Sequence, residues 1–318
     1  MSGIVYLSYK IFQDISLKSR RSLSIISIIL ILAGLFPACT RNSQTEATGA
    51  GGRAEDLAPR QMFGVQLRPQ ARQLLAEIEK HYGKHVREEV KRNLDYSYYA
   101  ALSSVDADGT PTIRMDADVP ATEATIVHEL LHIKLYSKGF PVIRLNYPRS
   151  WNTDRQQAHV RYIVAMIYDA IIHTIIYPEV REMGLKPEES LPSQLDLIMA
   201  DQFEDYAGVP RQDVRTIYYF NAALLLDDKE FFERVSDAYI TRHWYESLAI
   251  GRVLADMVIA AKPSTPEEVV FMLLRCLEVI QHGVNNYELD YWETEKRGEH
   301  SLRRAVIKVI PQGSERQK

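Results

Sequence analysis

Cysteine is nearly absent from the 318 residues: Cys39 and Cys276 stand far apart, so a disulfide framework is not available. The 15 Gly and 14 Pro exclude a repetitive or collagen-like chain, and no internal repeat is visible. Neither sign of charge dominates. With 38 Lys+Arg against 42 Asp+Glu, a net charge of -4 and no basic patch, the sequence argues against a nucleic-acid reader. A composition of 46% hydrophobic and 25% charged residues rules out a disordered chain or a fibre. Behind the N-terminal segment roughly 250 residues remain, enough for a large core, and one main domain is expected over 61–318.

Residues 1–22 carry Lys10, Lys18, Arg20 and Arg21 against a single Asp14, and Leu23 to Phe36 is uncharged and strongly apolar. These are the n-region and h-region of a signal peptide. Fourteen apolar residues in a helix rise only about 21 Å, short of a hydrocarbon core of about 30 Å, which favours export over a permanent span. The segment closes on Leu35-Phe36-Pro37-Ala38-Cys39, a small residue directly before a cysteine. This resembles a bacterial lipoprotein signal, with Phe36 where that family prefers Leu and an unusual Pro37. The resemblance implies a leader over 1–38, cleavage before Cys39, lipidation of Cys39, and attachment to a membrane of the bacterial cell envelope. Residues 39–60, rich in Gly, Ala, Ser and Thr, read as a flexible tether. Without residues 1–38 the net charge becomes -7, so charge alone would not hold the domain on an anionic bilayer. Cys276, in FMLLRCLEVI, suits an apolar helix face better than reactivity.

Helices with charged faces are expected from Leu67 to Tyr82 and on to Leu94. Tyr96–Val105, the turn Asp106-Ala107-Asp108-Gly109 and Pro111–Val119 then read as a hairpin. Pro120-Ala121-Thr122-Glu123 opens a helix running to about Lys138, stopped by Gly139 and Pro141. A second long helix fits Thr153 to Tyr177, ended by Pro178, and further helices fit 194–206, 211–226, 229–239, 241–262 and 265–282. The expected class is mainly α with a small β-hairpin or sheet (α+β), the sheet lying ahead of the key helix.

That helix contains His128-Glu129-Leu130-Leu131-His132. Imidazoles at i and i+4 lie one turn apart on one side, the spacing that lets both bind one tetrahedral Zn²⁺. Glu129 is rotated by about 100° from His128 and can face water on the metal without being a ligand. Zinc lowers the pKa of such a water from about 15.7 to about 7, and a neighbouring carboxylate can take its proton. Ala124, Ile126, Val127, Leu130, Leu131, Ile133 and Leu135 project as a wide apolar arc. His128, His132, Thr125, Tyr136 and Glu129 fill the remaining window. Burying two His and a Glu without partners would cost several kcal/mol, which a metal ion offsets. Lys134 falls on the apolar side, where snorkelling is the available reading.

TIVHELLHIKL resembles the extended helix motif of the zincin metallopeptidases except at Lys134, a resemblance covering roughly residues 95–185. It implies Zn²⁺ as cofactor, His128 and His132 as ligands, Glu129 as general base, and a peptide or protein substrate. It further implies that the strand before the helix, Thr112 to Ala117, lies at a sheet edge where an extended peptide pairs with it. Ser137-Lys138-Gly139-Phe140-Pro141 lacks the third histidine of metzincins, so the pattern is gluzincin-like and points to the next long helix for the third ligand. There His159, Tyr162, Met166, Asp169, His173 and Tyr177 share one stripe. His159 and His173 stand about 21 Å apart along a continuous helix and cannot both reach one metal. His173 is preferred, followed by Asp169, Glu179 and His159; Asp169 and His173 also suit a ligand with a supporting carboxylate. Tyr177, His243 and Tyr245 are candidates by residue type for stabilising an oxyanion. His81, His85, His282 and His300 are expected on helix surfaces. A rival of another class is a cell-envelope binding or assembly lipoprotein that keeps this scaffold without proteolysis.

Overall fold

The helix carrying His128 and His132 forms where the sequence signals put it. Thr122 caps it by accepting the Thr125 N–H at 3.1 Å, and Gly139, at φ 84°, turns the chain away at its end. The structure is a computed structural model describing residues 58–92, 101–151, 154–187, 191–202, 209–281 and 284–311. The leader, Cys39, most of the tether, the start of the Tyr96–Val105 strand and His282 lie outside the described residues. All described residues belong to one compact unit, Gly52–Lys318.

Among them are eight helices: α1 (Pro69–Tyr82), α2 (Glu123–Ser137), α3 (Asp154–Glu182), α4 (Leu191–Met199), α5 (Arg211–Leu225), α6 (Lys229–Thr241), α7 (Tyr245–Ala261) and α8 (Pro266–Ile280). The class is thus mainly α with small sheets. The strands are β1 (Gln61–Met62), β2 (Val65–Gln66), β3 (Arg87–Lys91), β4 (Ala101–Val105), β5 (Pro111–Asp116), β6 (Val142–Asn146), β7 (Asn285–Arg297) and β8 (His300–Pro311). All seven residues of the predicted apolar arc of α2 are buried, Ile126, Val127, Leu130 and Ile133 completely. At about 1.5–3 kcal/mol for each large side chain, this arc anchors α2 by on the order of 10 kcal/mol, so the core alone sets where the helix lies.

Three expectations need correction. The helical pattern does not continue from Tyr82 to Leu94: Gly83, at φ 63°, ends α1, and the Glu79 carboxylate accepts the Val86 N–H and turns the chain into β3. β3 pairs in parallel with β5, while β4 pairs with β5 antiparallel, giving the order β3-β5-β4. β5 is therefore the central strand, and the edge beside the key helix is β4. The sequence hid this because REEVK in β3 has no apolar alternation; the strand is fixed by its partner rather than by its own pattern. Second, Pro178 does not end α3, which runs on to Glu182. The turn beyond it is held from outside: Val180 is fully buried, Arg181 donates to the Leu225 carbonyl at 3.0 Å and pairs with Asp227 at 2.6 Å. Such packing outweighs the one backbone hydrogen bond a proline removes.

The third correction is a second three-stranded sheet, of order β6-β8-β7, absent from the sequence reading. Its long β7–β8 hairpin meets the β4–β5 turn tip to tip: the Gly298 N–H donates to the Ala107 carbonyl at 3.1 Å. A Cβ on Gly298 would fall 2.2 Å from the Asp108 carbonyl oxygen, so the contact requires glycine there. His300 opens β8 rather than lying on a helix, with Nε2 3.0 Å from the Tyr82 carbonyl oxygen. His85 sits in the loop after α1, and only His81 is on an exposed helix end. By length and composition Gln156–Glu182 could cross a membrane, yet half of its apolar window is buried inside the protein.

Candidate metal centre

Helix α2 presents His128 and His132 on one side, as the four-residue spacing requires, and α3 crosses beside it with His173. The three side chains converge through one kind of atom. His128 Nε2 lies 3.1 Å from His132 Nε2 and 3.1 Å from His173 Nε2. Four ligands at about 2.0–2.1 Å from a tetrahedral zinc ion stand about 3.3–3.4 Å apart, so these separations suit a shared cation. All three ligating atoms lie within 4.8 Å of one another.

The charge state fits as well. Burial drives the His128 and His173 imidazoles down to about 3, the proximity of His173 further lowering His128. His132 is driven well below its ordinary value by burial and by both neighbouring imidazoles. All three rings are thus neutral at neutral pH, with lone pairs available to a metal ion. The two carboxylates move the other way. Burial raises Glu129 to about 8, Asp169 adding to the rise and hydrogen bonds from Ser103 opposing it. Burial raises Asp169 to about 6, with His128 opposing. A pocket that disfavours both carboxylate charges while offering three neutral nitrogens is completed by a divalent cation, which reverses the cost of both charges.

Comparison brings no outside guide. No family model, no curated protein and no solved structure matches the chain. The residues and their spacing carry the assignment.

Of the four candidates for the third ligand, His173 is the one brought to the cluster with a ring nitrogen. His159 is not: its Nε2 pairs with Asp213 of α5 at 2.9 Å. The predicted stripe divides, because a 29-residue helix extends well past α2 and its N-terminal part packs on α5. Glu179 is engaged too, holding Lys134 Nζ at 2.6 Å. That pair explains the one residue of α2 that broke the apolar arc: Lys134 ties α2 to α3 one turn beyond the histidines. Asp169 stands at the cluster, 3.4 Å from His173 Nε2 and 3.9 Å from His132 Nε2.

Glu129 is buried and held from the edge strand. The Ser103 backbone N–H and hydroxyl of β4 both donate to its carboxylate. The same hydroxyl is also within hydrogen-bonding reach of the Tyr136 hydroxyl, one turn after His132. Nothing in the sequence flagged Ser103, since its role depends on β4 being an edge. Tyr177 stacks on the His173 ring, centroids 4.8 Å apart and planes at 16°, with the Arg181 guanidinium 5.6 Å from its centroid. This makes it a clamp on a ligand ring. His243 and Tyr245 are bonded to each other at 3.0 Å and exposed at the α6–α7 junction.

Metal content of the purified protein, by elemental analysis, separates these roles. One ion per chain is expected in the wild type, in Glu179→Gln and in His159→Gln, with loss in His128→Ala and His173→Ala. Retention in His173→Ala together with loss in Glu179→Gln would reverse the ligand assignment.

Proposed function

We propose that the protein is a zinc-dependent hydrolase that cleaves peptide bonds, exported and anchored to the bacterial cell envelope through lipid on Cys39. The observation that carries the reading is the convergence of His128, His132 and His173 on one helix pair, with the buried Glu129 carboxylate next in sequence to His128, coupled to Asp169 at the cluster and tethered to the edge strand β4 through Ser103. The donor set suits zinc, which binds imidazole readily and, when bound, supplies a Lewis acid and a water acidic near neutral pH.

The chain's own groups supply the rest. His128, His132 and His173 hold the ion and, being neutral, bring no charge that opposes it. The Glu129 carboxylate takes the proton as the water oxygen bonds to the substrate carbonyl carbon, then gives it to the nitrogen as the C–N bond breaks. β4, not the central β5, is the strand whose outer edge faces α2, so an extended peptide would pair there, presenting a carbonyl to Glu129.

Two measurements bear on this reading. Glu129→Gln should keep its zinc and lower kcat on unfolded protein substrates by about 10²–10⁴-fold. Full turnover in that variant contradicts the mechanism; a zinc-loaded wild type that cuts nothing favours the envelope binding protein instead. For the anchor, Cys39→Ser should move the protein out of the membrane fraction, and unchanged retention with unchanged mobility contradicts lipidation.

A further inference from the structure

Asp169 lies on the wrong side of the histidines for a supporting carboxylate. A group that orients a ligating His accepts a hydrogen bond from the ring nitrogen that does not bind the metal. Asp169 Oδ1 instead lies 3.4 Å from His173 Nε2 and 3.9 Å from His132 Nε2, the two atoms that converge with His128 Nε2. Once those nitrogens ligate a cation they carry no proton, and Asp169 would face their lone pairs rather than a protein donor. Among the described residues no backbone N–H or hydroxyl donates to this carboxylate, and no Lys or Arg pairs with it. It is three-quarters buried, with a side-chain exposure of 25%. Such a group needs a positive partner at the point where the nitrogens meet. The Asp169 carboxylate is within reach of two of the three nitrogens: its 3.4 Å separation from His173 Nε2 matches the roughly 3.3–3.4 Å edge of a tetrahedral site, and the 3.9 Å to His132 Nε2 closes with a small rotation of the side chain.

We propose that Asp169 is a fourth, displaceable protein ligand, giving a centre of three histidines and one aspartate that is closed at rest. The proposal rests on the metal-binding reading above and adds to it a built-in block. The position a water or substrate oxygen must occupy is held by the chain itself until the Asp169 side chain rotates away. Asp169 is one helical turn before His173, so its side chain can leave while the backbone that fixes His173 stays in place.

The test uses the full chain loaded with Co²⁺, whose visible absorption reports its ligands, and azide as a small anion that binds an open position. Azide should leave the wild-type spectrum unchanged and shift that of Asp169→Ala and of the near-isosteric Asp169→Asn. Circular dichroism verifies that both variants are folded; loss of cobalt from a folded variant that the wild type retains also counts for direct ligation. Any result in which the wild type and both variants respond alike, all shifting or none, overturns the proposal. Turnover plays no part in the readout, so failure of the peptidase reading leaves it standing. A wild type that takes up no cobalt overturns this proposal and the metal reading together.

Discussion

Three imidazole nitrogens converge between a pair of helices that otherwise meet through a largely apolar surface and the Lys134–Glu179 ion pair, a donor set suited to a shared cation. At 3.1 Å two facing Nε2 atoms can share one proton, while Asp169 Oδ1 lies 3.4 Å from His173 Nε2. Burial holds all three rings neutral and disfavours the negative charges of Glu129 and Asp169. A divalent cation would engage the three nitrogens and offset both negative charges at once. The rest of the site can be understood as what keeps those side chains in place.

The placement comes from the core and not from the ion. α2 is fixed by its apolar arc, and α3 by a face that buries Ile163, Ile167, Ile171 and Val180 completely. Lys134–Glu179 then ties the two helices together, and the stack of Tyr177 on His173 steadies that ring within α3. Because these contacts do not involve the metal, the pocket is organised before binding, and little ordering cost falls on the ion. Glu129 is the exception to helix-only positioning: its carboxylate is reached from β4, so the sheet places one side chain of the candidate site and the helix pair the others.

Much of this was legible in the sequence because it is local. The i, i+4 histidines, the cap at Thr122, the stop at Gly139 and the apolar arc all act within four residues, and each lies where its pattern indicates. His173 was favoured over His159 on the same stripe because Asp169 stands one turn before it, an i, i+4 pair that is again local. The features that stayed hidden are long-range. Lys134 and Glu179 are 45 residues apart and show no shared pattern. β3 looked helical because a parallel partner defines it, and missing it misplaced the edge from β4 to β5. The second sheet escaped for the same reason: β7 is mostly exposed and tyrosine- and charge-rich, and it takes its register from β8. Pro178 misled because helix continuation there depends on Arg181 and its partners.

The most direct measurement of the central claim is anomalous diffraction from crystals of the protein purified without added metal, collected on both sides of the zinc absorption edge. The account predicts a single edge-specific peak about 2.0–2.1 Å from Nε2 of His128, His132 and His173. A well-ordered cluster with no peak, or zinc bound elsewhere on the chain, would contradict it.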